Sequence, residues 1–480
     1  MKRFNYLLLL TLLVLTACRG GKPPAVPPTE PAPLTRPDQV ATPPLVFKVP
    51  VVETLRLPNG IRLYLKEDHE LPLVEVTVMI GAGDIGDAAA KVGQGDLFAA
   101  TLRSGGAGKR APAEVDELLE QLAADFSVGM DSYATTLSLS LQSADLETGM
   151  ALLADFLRRP AFAGERLELA RRQQLEGVRR QNDEPQAIAA RALAKAIYGD
   201  HPLGRSPTEA TLTAVNRDDL LDFHGRYFHP DNTWLAISGD FDRIRLLTLL
   251  LDTLGDWPTV TFVPQPLPAV TAPARPVLLL ADRDLPQSVI QFGQLGIDKS
   301  APDLEAVRVM NYILGGGGFN SRLMREVRSN RGLAYSVHSY FQVGRRLPGP
   351  FIAQSETKSA STLEVVQLMR QLMAEMRNRP VTAAELQLAQ ESLVNSFVFA
   401  FNNSHEVVTQ AQRLDFYGYP ADYLSGFRER VMAVTATTVL AAARERLQPE
   451  AMTLVVVGRA KDFAAPATTL GLPVEAIVLP

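Results

Sequence analysis

Across 480 residues the sequence holds a single cysteine, Cys18, and only six histidines. One thiol excludes an internal disulfide, whatever the redox compartment. His69, His201, His338 and His405 stand singly, and His224 and His229 are five apart with Pro230 following, so no pair has the i, i+4 spacing of a helical zinc motif. Surface or helix-end positions are expected for His224 and His229. Basic residues form no dense run: 48 Lys and Arg against 53 Asp and Glu give a net charge of −5, which excludes a nucleic-acid partner. No Gly-x-Ser-x-Gly elbow is present, which removes one route to a nucleophilic serine. The glycine run Gly315 to Gly318 lacks a Gly-Lys-Ser/Thr ending and is followed by Phe319, so it reads as close helix-loop packing rather than a phosphate loop.

What is present begins with a targeting segment. Lys2 and Arg3 precede an apolar run from Phe4 to Leu15, too short for the ~20 residues of a spanning helix. It ends in Leu15-Thr16-Ala17-Cys18, which resembles the bacterial lipobox. That resemblance implies a signal peptide over 1–18, lipid attachment at Cys18, and a chain anchored in the cell envelope facing the periplasm. Arg19 is not an acidic inner-membrane retention signal, so the outer membrane is favoured. Residues 19–49 are expected to be a tether: ten prolines fall from Arg19 through Pro50, favouring extended, polyproline-like chain.

The remainder is long enough for two or more domains, and 46% hydrophobic residues suffice to fill their cores. It also repeats itself. Tyr198-Gly199 recurs as Tyr417-Gly418, Ala214-Val215 as Ala433-Val434, Pro230 as Pro449 and Gly239 as Gly458, all at an offset of 219 residues. Asp68-His69-Glu70-Leu71-Pro72 returns as Asp282-Arg283-Asp284-Leu285-Pro286. The reading is a duplication, with domains over 50–262 and 276–464, a proline-marked linker over 263–275 and a tail over 465–480.

Within each copy both periods occur. Leu55 to Leu57 and Ile61 to Leu65 alternate around Pro58-Asn59-Gly60, predicting a hairpin with a tight Asn-Gly turn. Leu137 to Leu141 is a second alternating strand, whereas Val115, Leu118, Leu119 and Leu122, and Leu363, Val366, Leu368 and Met369, fall at helical spacing. The fold class expected is α+β: two homologous domains, each an antiparallel-rich sheet covered by helices, together enclosing a chamber.

The order Leu57-Pro58-Asn59-Gly60, Gly93, His201-Pro202-Leu203-Gly204 and Pro230-Asp231-Asn232 is similar to that of the pitrilysin or insulinase type of zinc peptidases. Leu314-Gly315-Gly316-Gly317, Ser321-Arg322-Leu323 and Arg331-Gly332-Leu333-Ala334-Tyr335-Ser336 resemble the C-terminal signature of the same family. Its enzymes carry His-x-x-Glu-His on a helix, with a further Glu downstream as third zinc ligand. Counted from Gly93, those motif positions are Asp96, Ala99 and Ala100, and Glu176 stands near the expected third ligand. Two methyl groups can neither coordinate nor accept a proton, so no cofactor is expected in this chain and zinc is expected in a partner subunit.

The family's Arg and Tyr, by contrast, are both present as Arg328 and Tyr335, seven residues apart. The resemblance implies that they hold the substrate backbone and polarise the scissile carbonyl. It therefore implies the non-catalytic subunit of a heterodimeric peptidase, inactive alone, whose partner has an intact His-x-x-Glu-His and whose substrate is a peptide. The alternative is a degenerate scaffold or peptide-binding envelope lipoprotein with no part in hydrolysis. In local terms, Ser321 or Asn320 is expected to cap a helix with Leu323 and Val327 inward, and Gly332 to end it in the left-handed region.

Overall fold

The alternating stretches become strands of two six-stranded sheets. The first contains β1 (Glu53–Arg56), β2 (Arg62–Glu67), β3 (Leu73–Ile80), β4 (Asp125–Met130), β5 (Thr135–Gln142) and β6 (Thr233–Gly239), in the order β1-β2-β6-β3-β5-β4. The second contains β7 (Leu278–Asp282), β8 (Gln287–Leu295), β9 (Ala334–Phe341), β10 (Pro350–Lys358), β11 (Thr453–Gly458) and β12 (Val474–Ala476), in the order β12-β7-β11-β8-β10-β9. This computed structural model describes residues 47–260, 262–263, 266–271, 275–463 and 468–479. The expected signal peptide, Cys18 and nearly all of the expected tether lie outside the described residues.

Replacing β2 to β6 by β7 to β11 converts one strand order into the other. The parallel pair β2/β6 is matched by β7/β11, and the neighbouring antiparallel pairs correspond as well. Only the outermost strand differs in origin: β1 enters ahead of β2 and runs antiparallel to it, whereas β12 comes from the C-terminal end and runs parallel to β7. The fold is thus two duplicated α+β domains. One face of each sheet is the domain core. In β5, Leu137, Leu139 and Leu141 point inward opposite Val78, Val76 and Val74 of β3, and the helix Thr362–Asn378 closes the second core with Val366, Leu368 and Met369.

The other face of each sheet is covered by a helix from the opposite copy. Pro185–Tyr198 packs Ile188, Leu193 and Ile197 on Leu279 of β7, Val289 of β8 and Val455 of β11. Its equivalent at the offset of 219, Ser404–Tyr417, lies on the first sheet. There Asp415 accepts from the Tyr64 hydroxyl and Trp234 Nε1 at 2.5 and 2.9 Å, and Gln412 donates to the carbonyls of Thr77 and Trp234. The exchange makes the residues from Phe47 onward one compact unit.

The first turn departs from expectation. β1 and β2 do pair, but Leu57 and Ile61 close a longer loop and only Gly60 has positive φ, at 106°. Asn59 is instead turned inward, where Nδ2 donates to the carbonyl of Leu254 at 2.7 Å. A buried tertiary hydrogen bond outweighed the local preference for an Asn-Gly turn.

Candidate functional site

The helix Gln94–Ser104 carries Asp96, Ala99 and Ala100, the positions that the sequence resemblance gives to the zinc motif. Gly93 precedes it at φ 97°, where a side chain would be strained. The free amides of the first turn are taken by Asp87, whose Oδ2 accepts from Gly93 and Gly95 N–H at 3.0 and 3.2 Å. Burial pushes the Asp87 carboxyl up to about 7; the two amides oppose that shift, and the Asp84 and Asp96 carboxylates add to it. This distant cap has no signature in the sequence, since it lies well outside the usual position beside the first turn.

On that helix Asp96 is exposed, Ala99 is buried, and Ala100 packs against the core. Partial desolvation raises the Asp96 carboxyl. Glu176 stands on the neighbouring helix Gly164–Arg180 and is ion-paired to Arg180 at 2.6 Å. The donor set therefore does not fit zinc: the Ala99 and Ala100 methyls offer no lone pair and Glu176 is already engaged. Among the described residues no group of three or more His, Cys, Asp or Glu is arranged to hold a metal ion.

Arg328 and Tyr335 are brought together. Leu323 and Val327 are fully buried, as their spacing required, but the helix they anchor has π geometry over Met324–Asn330. Ser321 Oγ accepts from Met324 N–H at 3.4 Å, and Gly332 has φ 63°. The wider π turn is a local irregularity of the kind often found at functional sites. β9 then starts at Ala334 on the open edge of the second sheet. Its register with β10 slips: Glu356 faces Ser336 and Thr357 faces Ala334, leaving Tyr335 as the extra residue of a β-bulge.

The bulge turns Tyr335 outward, and it is 81% exposed. A core role for its ring is thereby excluded. Arg328 Nη1 donates to the Tyr335 carbonyl at 2.8 Å, so the guanidinium bonds the strand rather than helix carbonyls. Its carbon lies 4.5 Å from the centre of the Tyr335 ring and 4.8 Å from that of Phe319. Phe319, itself 65% exposed, is part of the site although sequence reasoning treated it only as an obstacle to phosphate. The glycine run packs closely, as expected: a Cβ on Gly315 would come within 2.5 Å of Ser339. His224 lies in the last turn of Arg217–Tyr227, and its Nε2 meets the Leu157 carbonyl at 2.9 Å.

Two descriptions of one family match this chain in succession. Residues 62–211 match the insulinase domain of peptidase family M16, and residues 214–393 match the peptidase M16 inactive domain. The chain belongs to peptidase family M16. An uncharacterized zinc protease of Mycobacterium leprae is 25% identical over 75% of this chain and 82% of its own length. A non-peptidase homolog of Helicobacter pylori is 25% identical over 69% and 76%. The crystal structure of a peptidase M16 inactive domain from Pseudomonas fluorescens superposes with a TM-score of 0.76 at 27% identity, covering 85% of this chain and 98% of that one. Within this family, the match to the inactive domain and the likeness to a non-peptidase homolog make the chain a degenerate, non-catalytic member.

Proposed function

We propose that this chain is the substrate-binding, carbonyl-polarising subunit of a heterodimeric bacterial zinc endopeptidase, with the metal held by a partner carrying an intact His-x-x-Glu-His. The observation that carries this reading is the Arg328–Tyr335 pair. A bulge on an open sheet edge holds a phenol hydroxyl toward solvent, with a permanently charged guanidinium against the same residue. Nothing in the core requires Tyr335 to be there. A hydroxyl donor and a planar guanidinium stabilise negative charge developing on a carbonyl oxygen, and they do so best where water is excluded. Docking of a second chain over the edge would supply that exclusion. The lipobox adds the location: an envelope lipoprotein held at Cys18 and facing the periplasm.

The test is reconstitution with the zinc-bearing partner. The chain alone is expected to cleave no peptide and to retain no stoichiometric zinc. In the complex, Arg328→Ala and Tyr335→Phe are each expected to lower kcat on the order of 10²-fold, with assembly unchanged by size-exclusion chromatography. Full activity in both variants would remove the pair from the chemistry. Mass spectrometry of the membrane-extracted protein is expected to find an acylated Cys18 as the mature N-terminus. One observation favours the alternative, a scaffold without a role in hydrolysis: Arg328 is already engaged by a carbonyl and two rings. That reading predicts the opposite result, loss of assembly with no selective loss of kcat.

A further inference from the structure

The helix Pro185–Tyr198 covers β7, β11 and β8, while a cavity of about 800 Å³ remains between it and the outer strands β10 and β9. Tyr133 and Leu193 wall it from the first copy; Gln291, Gln354, Tyr340 and Ile352 wall it from the second. Gln291 and Gln354 face each other across β8 and β10, and Gln291 Nε2 donates to Gln354 Oε1 at 3.2 Å. Gln291 is 6% exposed, and its Oε1 is buried with no hydrogen-bond partner among the described residues. Two carboxamides joined by one hydrogen bond always leave one acceptor and further N–H donors over. Reversing both amides exchanges the roles and leaves the same surplus. The floor of the cavity thus presents an acceptor and donors side by side, the complement of a peptide group.

Charge narrows the ligand further. Among the described residues, the ionised side chains on the lining are Asp131 and Arg345, paired with each other at 3.3 Å, and Arg345 also donates to the Tyr417 hydroxyl. A charged ligand would find no counter-charge there and would lose its hydration. The rest of the lining is tyrosine, glutamine, serine, glycine, proline and aliphatic side chains. Position matters as well: Gln354 faces His338 and Glu356 faces Ser336, so the lining strand β9 leads within three residues from His338 to the Tyr335 bulge. At ~3.3 Å per residue that is about 10 Å.

We propose that this cavity binds an uncharged peptide segment, which donates a backbone N–H to Gln291 and lays apolar side chains against the tyrosines, beside the Arg328–Tyr335 pair. The proposal rests on reading the chain as a peptide-binding member of its family, and it names the class of peptide. It is tested on the detergent-solubilised full chain without any partner, by calorimetric titration with the capped hexapeptide acetyl-Ala-Leu-Gln-Ala-Leu-Gln-amide and with analogues carrying Lys or Glu at the third position. Saturable binding of the neutral peptide is expected, about tenfold or more weaker for either charged analogue. Ala190 lies on the exposed side of the helix and lines the cavity, so Ala190→Trp fills the space without entering a core and is expected to abolish binding. Gln291→Leu is expected to weaken it about tenfold by removing the acceptor. The titration is read on the chain without a zinc-bearing partner and without turnover, which separates failure of this cavity from failure of the catalytic reading. Absence of saturable binding, equal binding of the charged analogues, parental binding by the two cavity variants once circular dichroism shows them folded, or a crystal structure in which waters alone satisfy Gln291 in the presence of peptide would overturn it.

Discussion

At the scale of single residues, the site depends on two backbone departures that no side-chain preference announces. A π turn sets Arg328 and a one-residue bulge sets Tyr335, and either regular alternative would move one of them off the shared surface. Phe319 completes the arrangement by stacking on the guanidinium from the glycine run. An exposed cation–π contact contributes about 0.5–1 kcal/mol. Phe319→Leu is therefore expected to lower kcat of the reconstituted complex by about two- to fivefold, with Phe319→Tyr close to the parent. Because the ring is exposed, thermal melts should show little change in either variant; a large drop in Tm with unchanged kcat would assign the ring to stability instead. Arg328→Lys should fail along with Arg328→Ala, since an ammonium lacks the planar fork that reaches a carbonyl and stacks on rings at once.

At the scale of elements, the segment carrying Arg328 is tied down at Glu385, which pairs with Arg322 and, at 4.0 Å, with Arg325. Glu385, at the third position of the helix Ala383–Ser396, accepts from Thr382 N–H in a capping box and from Arg322 Nε and Nη2 at 2.8 and 2.9 Å. The Arg322 hydrogen bonds, chiefly, hold its carboxyl down to about 2. A carboxyl with a folded value below its unfolded one stabilises fully above the unfolded value, near 4.5, and loses that contribution as pH falls toward 2. Glu385→Gln leaves Arg322 largely buried without a counter-charge, and is expected to cost about 3–5 kcal/mol in urea unfolding at pH 7. The difference between variant and parent should shrink below pH 4. Gly315→Ala probes the neighbouring packing: its methyl meets the Ser339 backbone on β9 and is expected to destabilise by about 1–3 kcal/mol.

At the scale of the whole molecule, the exchanged helices make the two copies interdependent, and one of the two contacts contains a buried histidine. His405 lies between Thr77 Oγ1 and Ser238 Oγ of the first sheet, at 2.8 and 2.9 Å, and burial lowers its pKa to about 4. His224 is lowered to about 4 for the same reason. A histidine whose folded value lies below 6.5 takes up its proton more readily when unfolded. Stability is therefore full above pH 6.5 and falls as pH drops toward 4, by up to about 1.4 kcal/mol per pH unit for each histidine. Asp87 acts in the opposite sense, because its raised value favours the folded state as pH falls from 7. The net loss is thus smaller than two histidines alone would give. His405→Gln isolates one contribution: the variant's stability, from urea unfolding at several pH values, is expected to depend less on pH between 6.5 and 4. An unchanged slope would mean that the ring is already solvated in the native state.

The sequence by itself determined the duplication, the α+β class and the identities that matter chemically. Leu137 to Leu141 could form only a half-buried strand, and Leu323 and Val327 could only face inward, because period and polarity act over a few residues. Ala99 and Ala100 likewise offer no lone pair to a metal wherever the helix lies. What only the tertiary structure decided are features made by distant segments meeting. Asn59 was drawn from a local turn to the carbonyl of Leu254, and Asp87 was brought under a helix that begins several residues later. The helices Pro185–Tyr198 and Ser404–Tyr417 were each placed on the other copy's sheet. The stripe of apolar residues on such a helix states that something must cover it, and the sheet that does so is chosen by the complementarity of surfaces far apart in the chain. Tyr335 stands between these cases. Its identity was legible from the Arg331 to Ser336 signature, but its outward direction was set by the slip of β9 against β10, a register fixed by how both strands pack on the rest of the sheet.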